Sequence, residues 1–277
     1  MSAPAEPGGS KVRQLLQRRA VIIALAALLA AAALIGTFLL AVTDKQLKEA
    51  FDGLPHTYEY LEVTTPEQVN LHMMAVAPED IALRAAGIPL RQVAAYGING
   101  GFFYGEDLLS VAIVNDVPVN GTRGGYGSGW FNAKYARGTM VWNGTDGRLS
   151  VQTVSSGDEL KITDRAHYWA QGGISMHLQQ EELWTTAMRA EHLPYADEQR
   201  LRSGMVYDSS GKLWLIVTPT LCTAEQFRTA VLHSVPGEGR EGIFLDGDGS
   251  SQMNAEEIVL TGDSRPVVQM IAVAGSK

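Results

Sequence analysis

The sequence predicts an α+β domain of mixed and antiparallel sheets with few helices, preceded by one transmembrane helix. Three observations carry this expectation. From about Thr65 the chain breaks into short alternating apolar runs punctuated by glycine. Helical patterns are few and do not alternate regularly with the strands, which argues against a parallel βαβ fold. Residues Ala20 to Val42 carry no charge.

That uncharged run is 23 residues long, about 34 Å of helix at ~1.5 Å per residue, enough to cross a ~30 Å hydrocarbon core. Lys11, Arg13, Arg18 and Arg19 precede it, and Asp44, Lys45 and Lys48 form a weaker cluster after it. The asymmetry puts the amino terminus in the cytoplasm and the main domain outside, as a single-pass membrane protein. A cleaved signal peptide is the alternative. Its apolar region normally spans ~7–15 residues and ends at a small-x-small site, whereas Leu39-Leu40-Ala41 lacks the first small residue. The expected organisation is a cytoplasmic tail (1–19), a span (20–42), a stalk (43–66) and a domain (67–277).

Within the domain, Val69–Val76, Leu109–Val114, Gly138–Trp142 and Leu149–Val154 read as strands. Asn115-Asp116 and Asp208–Gly211 read as hairpin turns, the second between Met205–Tyr207 and Leu213–Val217. Thr223 and Gln226 have capping-box spacing before a helix over Ala224–Val235. Glu79–Ala86 and Asp197–Arg202 are weaker helical patterns. Gly242–Leu245 reads as a buried strand running into Asp246, and Ile258–Leu260 with Val267–Ala274 closes the domain.

Composition narrows the function classes. The chain has 30 acidic and 22 basic residues. Only Glu6 among the acids, and Lys11, Arg13, Arg18 and Arg19 among the bases, precede residue 43, so the remainder carries a net charge of −11. A nucleic-acid binder needs the opposite sign, so no nucleic-acid partner is expected. Cys222 is the one cysteine and cannot form an intramolecular disulfide. The six histidines lack metal-ligand spacing. Tyr126 and Trp130 stand where a nucleophile elbow around Ser128 would need glycines. There is no Walker loop and no G-x-G-x-x-G between a strand and a helix.

Three clusters remain. Asn99-Gly100-Gly101 follows a short apolar run, and glycines there allow close backbone approach to a ligand beside the Asn99 amide. Arg202-Ser203-Gly204 enters a hairpin strand, where an arginine can clamp a phosphate or carboxylate bidentately. Gln171-Gly172-Gly173 is a companion turn. Leu245-Asp246-Gly247-Asp248-Gly249-Ser250-Ser251 delivers a carboxylate into a glycine- and hydroxyl-rich loop whose amides can converge on an anion. The same loop has a rival reading. Asp246, Asp248, Ser250, Gln252, Asn254 and Glu257 fall at EF-hand positions, but Ser251 replaces the turn glycine and a strand, not a helix, leads in. A looser divalent-cation site, such as calcium held by Asp246 and Asp248, stays open.

Taken in order, these clusters resemble the phosphodiester glycosidase family, which includes the animal uncovering enzyme and bacterial relatives associated with exopolysaccharide. The resemblance runs from about Tyr96 to the carboxyl end and rests mainly on Ile98–Phe103 and Leu245–Ser251. The family's glycine turn looks like Gly172-Gly173, and its Arg-Thr pair looks like Arg202-Ser203. Asp248 replaces a family glycine, Ser203 a threonine, and Val206 falls where glycine is common.

The resemblance implies hydrolysis of a sugar-1-phosphodiester in a phosphorylated glycan, with no required cofactor. It implies Asp246 as nucleophile or general base, and Arg202, Ser203 and the Gly247–Ser251 loop as phosphate ligands. Asn99, Gly100 and Gly101 would hold the sugar, with Gly172 and Gly173 beside them. The rival is a non-catalytic surface module that binds anionic glycan through a cation on Asp246 and Asp248, and a chelator would separate the two.

Overall fold

The computed structural model describes residues 22, 25, 28–31, 51 and 53–274. The chain divides into a unit of residues 1–52 and a unit of residues 53–277. In the first, residues 22, 25, 28–31 and 51 are helical. The transmembrane expectation falls largely outside the described residues, among which no helix is long and apolar enough to cross a membrane.

Among its described residues the second unit has three larger antiparallel sheets, a two-stranded one (Phe103–Tyr104 with Asp107–Leu108) and two α-helices. The first sheet orders its strands Glu59–Thr64, Asn70–Val76, Leu213–Cys222, Arg200–Tyr207, Glu241–Phe244 and Ile174–Ser175 from edge to edge. The second runs Arg148–Val154, Arg137–Asn143, Tyr168–Gly172, Ala112–Val114 and Val117–Pro118. The third runs Val259–Leu260, Met253–Asn254, Tyr96–Asn99, Val267–Val273 and Ile81–Ile88. The largest core lies between the first sheet and the helices Glu181–Ala190 and Ala224–Ser234. It includes Leu71, Met73, Trp184, Val206, Ile216, Phe227, Val231 and Phe244. Removing this apolar surface from water at about 25 cal/mol per Å2 is the main source of stability.

Most sequence expectations translate directly. The hairpin at Asp208–Gly211 forms, with the Asp208 carboxylate accepting from Ser210 N at 2.8 Å. The helix Ala224–Ser234 begins with the capping box: Thr223 Oγ1 accepts from Gln226 N at 3.2 Å, and Gln226 Oε1 from Thr223 N at 2.9 Å.

Several expectations are corrected. Glu79–Ala86 is not a helix. Pro78–Asp80 makes one 3-10 turn and Ile81–Ile88 is a strand paired with Val267–Val273. The alanines favour helix locally, but pairing with a fully buried strand overrides that weak preference. Asp197–Arg202 is likewise not helical; Arg200 already begins a strand. Residues 59–64, read as stalk, form the edge strand of the first sheet. The helix Glu181–Ala190 was not anticipated.

Candidate active site

Two chain crossings bring the predicted clusters together. The loop 245–252 leaves the first sheet, where Phe244 pairs with Gly204, and enters the third, where Met253 pairs with Ile98. The turn at Gly172-Gly173 leaves the second sheet and enters the first at Ile174, which pairs with Phe244. A Cβ on Gly173 would lie 2.1 Å from the Phe244 carbonyl oxygen, so only glycine admits this strand approach. The three sheets therefore converge beside the strand that delivers Asp246.

Asn99 ties this convergence. Its Nδ2 donates to the Asp246 carbonyl oxygen at 2.8 Å and to the Gly100 carbonyl at 3.3 Å. Its Oδ1 accepts from Ser203 Oγ at 2.8 Å and from Gln252 N at 3.1 Å. The residue is 1% exposed. Its amide is engaged within the protein, so Asn99 and Ser203 fix the loop rather than face a sugar. The Gly100 and Gly101 amides are engaged too, donating to Gln269 O at 2.9 Å and Gln269 Oε1 at 3.0 Å. Gln269 Nε2 donates in turn to Gln171 Oε1, and Gln171 Nε2 to the Gly172 carbonyl at 2.9 Å. Gly172 N donates to Val111 O and Gly173 N to Gly138 O. The two Gly-Gly turns are thus wired together by buried glutamines, a role sequence reasoning missed.

Asp246 opens onto a cavity of about 190 Å3 lined in part by Arg200, Arg202, Asp248, Arg265 and Tyr195. Burial pushes the Asp246 carboxyl up to about 6, while the Ser250 hydroxyl, the Gly247 amide and Arg265 pull it back down. The Ser250 contact falls short of full hydrogen-bond geometry: the buried Oγ atoms of Ser250 and Ser251 have no hydrogen-bond partner. Such buried, unpartnered hydroxyls are costly.

Arg202 is 5% exposed. Its Nε donates to Cys222 O at 3.2 Å, and its Nη2 to Tyr195 O at 2.6 Å and Glu198 O at 2.9 Å. These bonds engage Nε and Nη2 with backbone carbonyls, and the charge forms no ion pair with a carboxylate among the described residues. Burial pulls its pKa below the usual value.

Arg200 and Arg265 were not anticipated. Arg200 Nη1 donates to Asp248 Oδ2 at 3.1 Å and its guanidinium lies 4.5 Å over the Tyr195 ring. Arg265 pairs with Asp263, which stands over Gly249. Arginine is so often a solvated surface residue that neither carried a sequence signal.

The loop itself is one 3-10 turn, Asp248–Ser250, with Ser250 N bonded to Gly247 O and Ser251 N to Asp248 O. Those two amides are spent internally. Asp248 has φ +55°, a left-handed conformation that glycine adopts without strain and aspartate tolerates better than most residues.

The EF-hand spacing does not converge. Gln252 Oε1 accepts from Leu90 N at 2.9 Å, Asn254 Nδ2 donates to the Leu90 carbonyl at 2.6 Å, and Glu257 pairs with His56 and Tyr58. Among the described residues no group of three or more His, Cys, Asp or Glu is gathered for a metal ion.

No family model and no curated protein matches the sequence. Two solved structures align with the chain. A hypothetical protein from Synechocystis aligns with a TM-score of 0.41 at 12% identity, over 78% of this chain and 61% of that one. A protein of Burkholderia pseudomallei K96243 named "Putative exported protein" aligns with a TM-score of 0.46 at 11% identity, over 82% of this chain and 76% of its own.

Proposed function

We propose that the chain is an extracytoplasmic hydrolase that cleaves a sugar-1-phosphodiester in a cell-surface or extracellular glycan. One observation carries this reading: Asp246, whose carboxyl is pushed up to about 6 by burial, lines a small cavity together with Arg200, Arg202 and Arg265. An isolated buried carboxylate would repel a phosphodiester. The arginines offset part of that repulsion, so an anion can sit within reach of a base.

The chemistry follows from the leaving group. Cleaving the bond between the anomeric carbon and the phosphate oxygen leaves the electron pair on a phosphate monoester, a weak base that departs with little protonation. Ordinary glycosides need a second carboxyl as general acid because an alkoxide leaves poorly. One ionised Asp246 is therefore sufficient. It attacks the anomeric carbon as the phosphate leaves, and water then cleaves the resulting glycosyl ester to free the sugar and the carboxylate, or it takes a proton from the water whose oxygen bonds to that carbon. Arg202 holds the phosphate oxygens, and Arg200 and Arg265 offset its charge. Asn99 and Ser203 hold the Asp246 backbone and are positioning residues. Asp248 is drawn to Arg200, which favours a charge-tuning role over cation binding.

The uncharged run Ala20–Val42 and the basic residues before it support tethering of this domain outside the cytoplasm. Incubating the full chain with a panel of sugar-1-phosphodiesters tests the function. Release of phosphomonoester and reducing sugar together is expected; release of neither from any member would overturn the proposal.

A further inference from the structure

A second concavity of about 390 Å3 lies beside the first, lined by Leu108, Tyr126, Phe131, Lys134, Tyr135 and neighbours. Two of its aromatic rings are open to solvent: Tyr126 is 72% exposed and Phe131 38%. Buried polar bonds fix the backbone beneath them. Asn132 Oδ1 accepts from Val111 N at 3.0 Å, and its Nδ2 donates to Thr139 Oγ1 at 2.9 Å and Val154 O at 2.8 Å. Gly127 O accepts from Leu108 N at 2.9 Å and Asn120 Nδ2 at 2.9 Å. Aromatic side chains normally hide their faces in a core; here a braced loop holds them outward.

Side-chain contacts link the linings of the two concavities. Tyr135, in the second, stacks on His192 with ring centroids 3.7 Å apart, and the next residue, Leu193, lines the first. Arg137 lies 5.2 Å from the Phe102 ring of the first and 5.7 Å from the Tyr135 ring of the second. His192 is exposed, so the Tyr135–His192 stack forms an open ridge between them.

The first cavity, at about 190 Å3, is smaller than the ~300–1,000 Å3 of sites that enclose a whole ligand. It can surround the reacting phosphate and its nearest sugar, and the remainder of a glycan must lie outside it.

We propose that the Tyr126–Phe131–Tyr135 concavity is a second glycan subsite, which binds sugar rings of the same chain as they pass over the Tyr135–His192 ridge from the Asp246 cavity. A sugar ring presents a face of C–H groups and a rim of hydroxyls. Ring faces with polar edges match it: Tyr126 and Tyr135 carry hydroxyls, and Ser155 and the Lys134 ammonium line the same concavity. The substrate is then a glycan chain, not a lone sugar-1-phosphodiester. This inference rests on the proposed function for its direction along the substrate, but not for the existence of the subsite.

The test is binding, so it does not depend on turnover. Phosphate-free hexasaccharides of glucose, N-acetylglucosamine, galactose and mannose are titrated against the full chain by calorimetry. At least one should bind. Tyr126→Ala with Phe131→Ala should weaken it tenfold or more, whereas Phe131→Tyr should retain most of the affinity. Both rings are exposed, so the double variant is expected to fold, which circular dichroism checks. Binding of none of the four, or binding indifferent to Tyr126 and Phe131, overturns the subsite. Hexasaccharide binding without hydrolysis of any phosphodiester would instead retain the subsite and reject the catalytic reading.

Discussion

Asn99 holds the backbone of Asp246 in place: its Nδ2 donates to the Asp246 carbonyl oxygen at 2.8 Å, while its Oδ1 receives the Ser203 hydroxyl at 2.8 Å. One buried amide thus couples a strand end of the third sheet to a strand and a loop of the first. Asn99→Ala leaves the Asp246 carbonyl, the Ser203 hydroxyl and the Gln252 amide without this partner. Each buried orphan costs ~1–3 kcal/mol, so chemical denaturation should show a loss of ~3 kcal/mol or more. Turnover should fall while KM changes little, because the amide does not reach the substrate. An unchanged unfolding midpoint would remove Asn99 from this role.

Arg200 and Arg202 should fail in different ways. Arg200 is partly exposed and its loss removes only solvent-screened pairs with Glu198 and Asp248 and a stack on Tyr195, so Arg200→Ala should lower stability by no more than ~1 kcal/mol. KM should rise several-fold, less so at high salt. Arg202 also holds three backbone carbonyls, and Arg202→Lys cannot reproduce that fork. Both stability and KM should suffer in that variant. Equal effects of the two substitutions on stability would contradict the assignment.

Asp248→Gly probes the left-handed loop residue. Glycine removes a strain of ~1–2 kcal/mol at φ +55°, against the loss of a weak, partly exposed pair with Arg200. Thermal unfolding should show a stability equal to or above that of the parent, and turnover should survive. Chelator should then affect neither protein. Abolished activity in Asp248→Gly, together with chelator-sensitive activity in the parent, would point instead to a cation.

The raised pKa of Asp246 sets a stability profile as well as a rate profile. An aspartate near 4 when unfolded and about 6 when folded binds more protons in the folded state between those values. Its contribution to stability is therefore favourable at low pH and is lost as pH rises from about 4 through 6. Asp246→Asn, which cannot ionise, should be more stable than the parent by about 2 kcal/mol at pH 7–8. The gap should close below pH 4. A variant that is less stable at neutral pH would indicate that the carboxylate is a structural partner rather than a strained functional group.

The sequence made some of this legible and hid the rest for physical reasons. The Asp208–Gly211 hairpin and the Thr223–Gln226 cap were readable because their signals are local. Asp246, Arg202 and Asn99 were identifiable as a set because glycines mark the crossings that bring them together, although the direction of the Asn99 amide was not. Arg265 and Arg200 reach the cavity only through folding, and no spacing announces them. The strand Glu59–Thr64 looked like a stalk because an edge strand with mostly exposed positions carries little apolar periodicity. The helix Glu181–Ala190 was obscured for a related reason, since it buries only Trp184 and Ala187.

The most direct test of the central claim is turnover by Asp246→Asn in the full chain, measured beside the parent on whichever sugar-1-phosphodiester the parent hydrolyses. The parent's rate should rise with pH through about 6 as Asp246 ionises. Above pH 6 the variant should lose roughly a thousandfold in kcat, a gap that narrows at lower pH, while binding the substrate as tightly or more tightly because the repulsion with phosphate is gone. Near-parent turnover in a correctly folded Asp246→Asn would contradict the account.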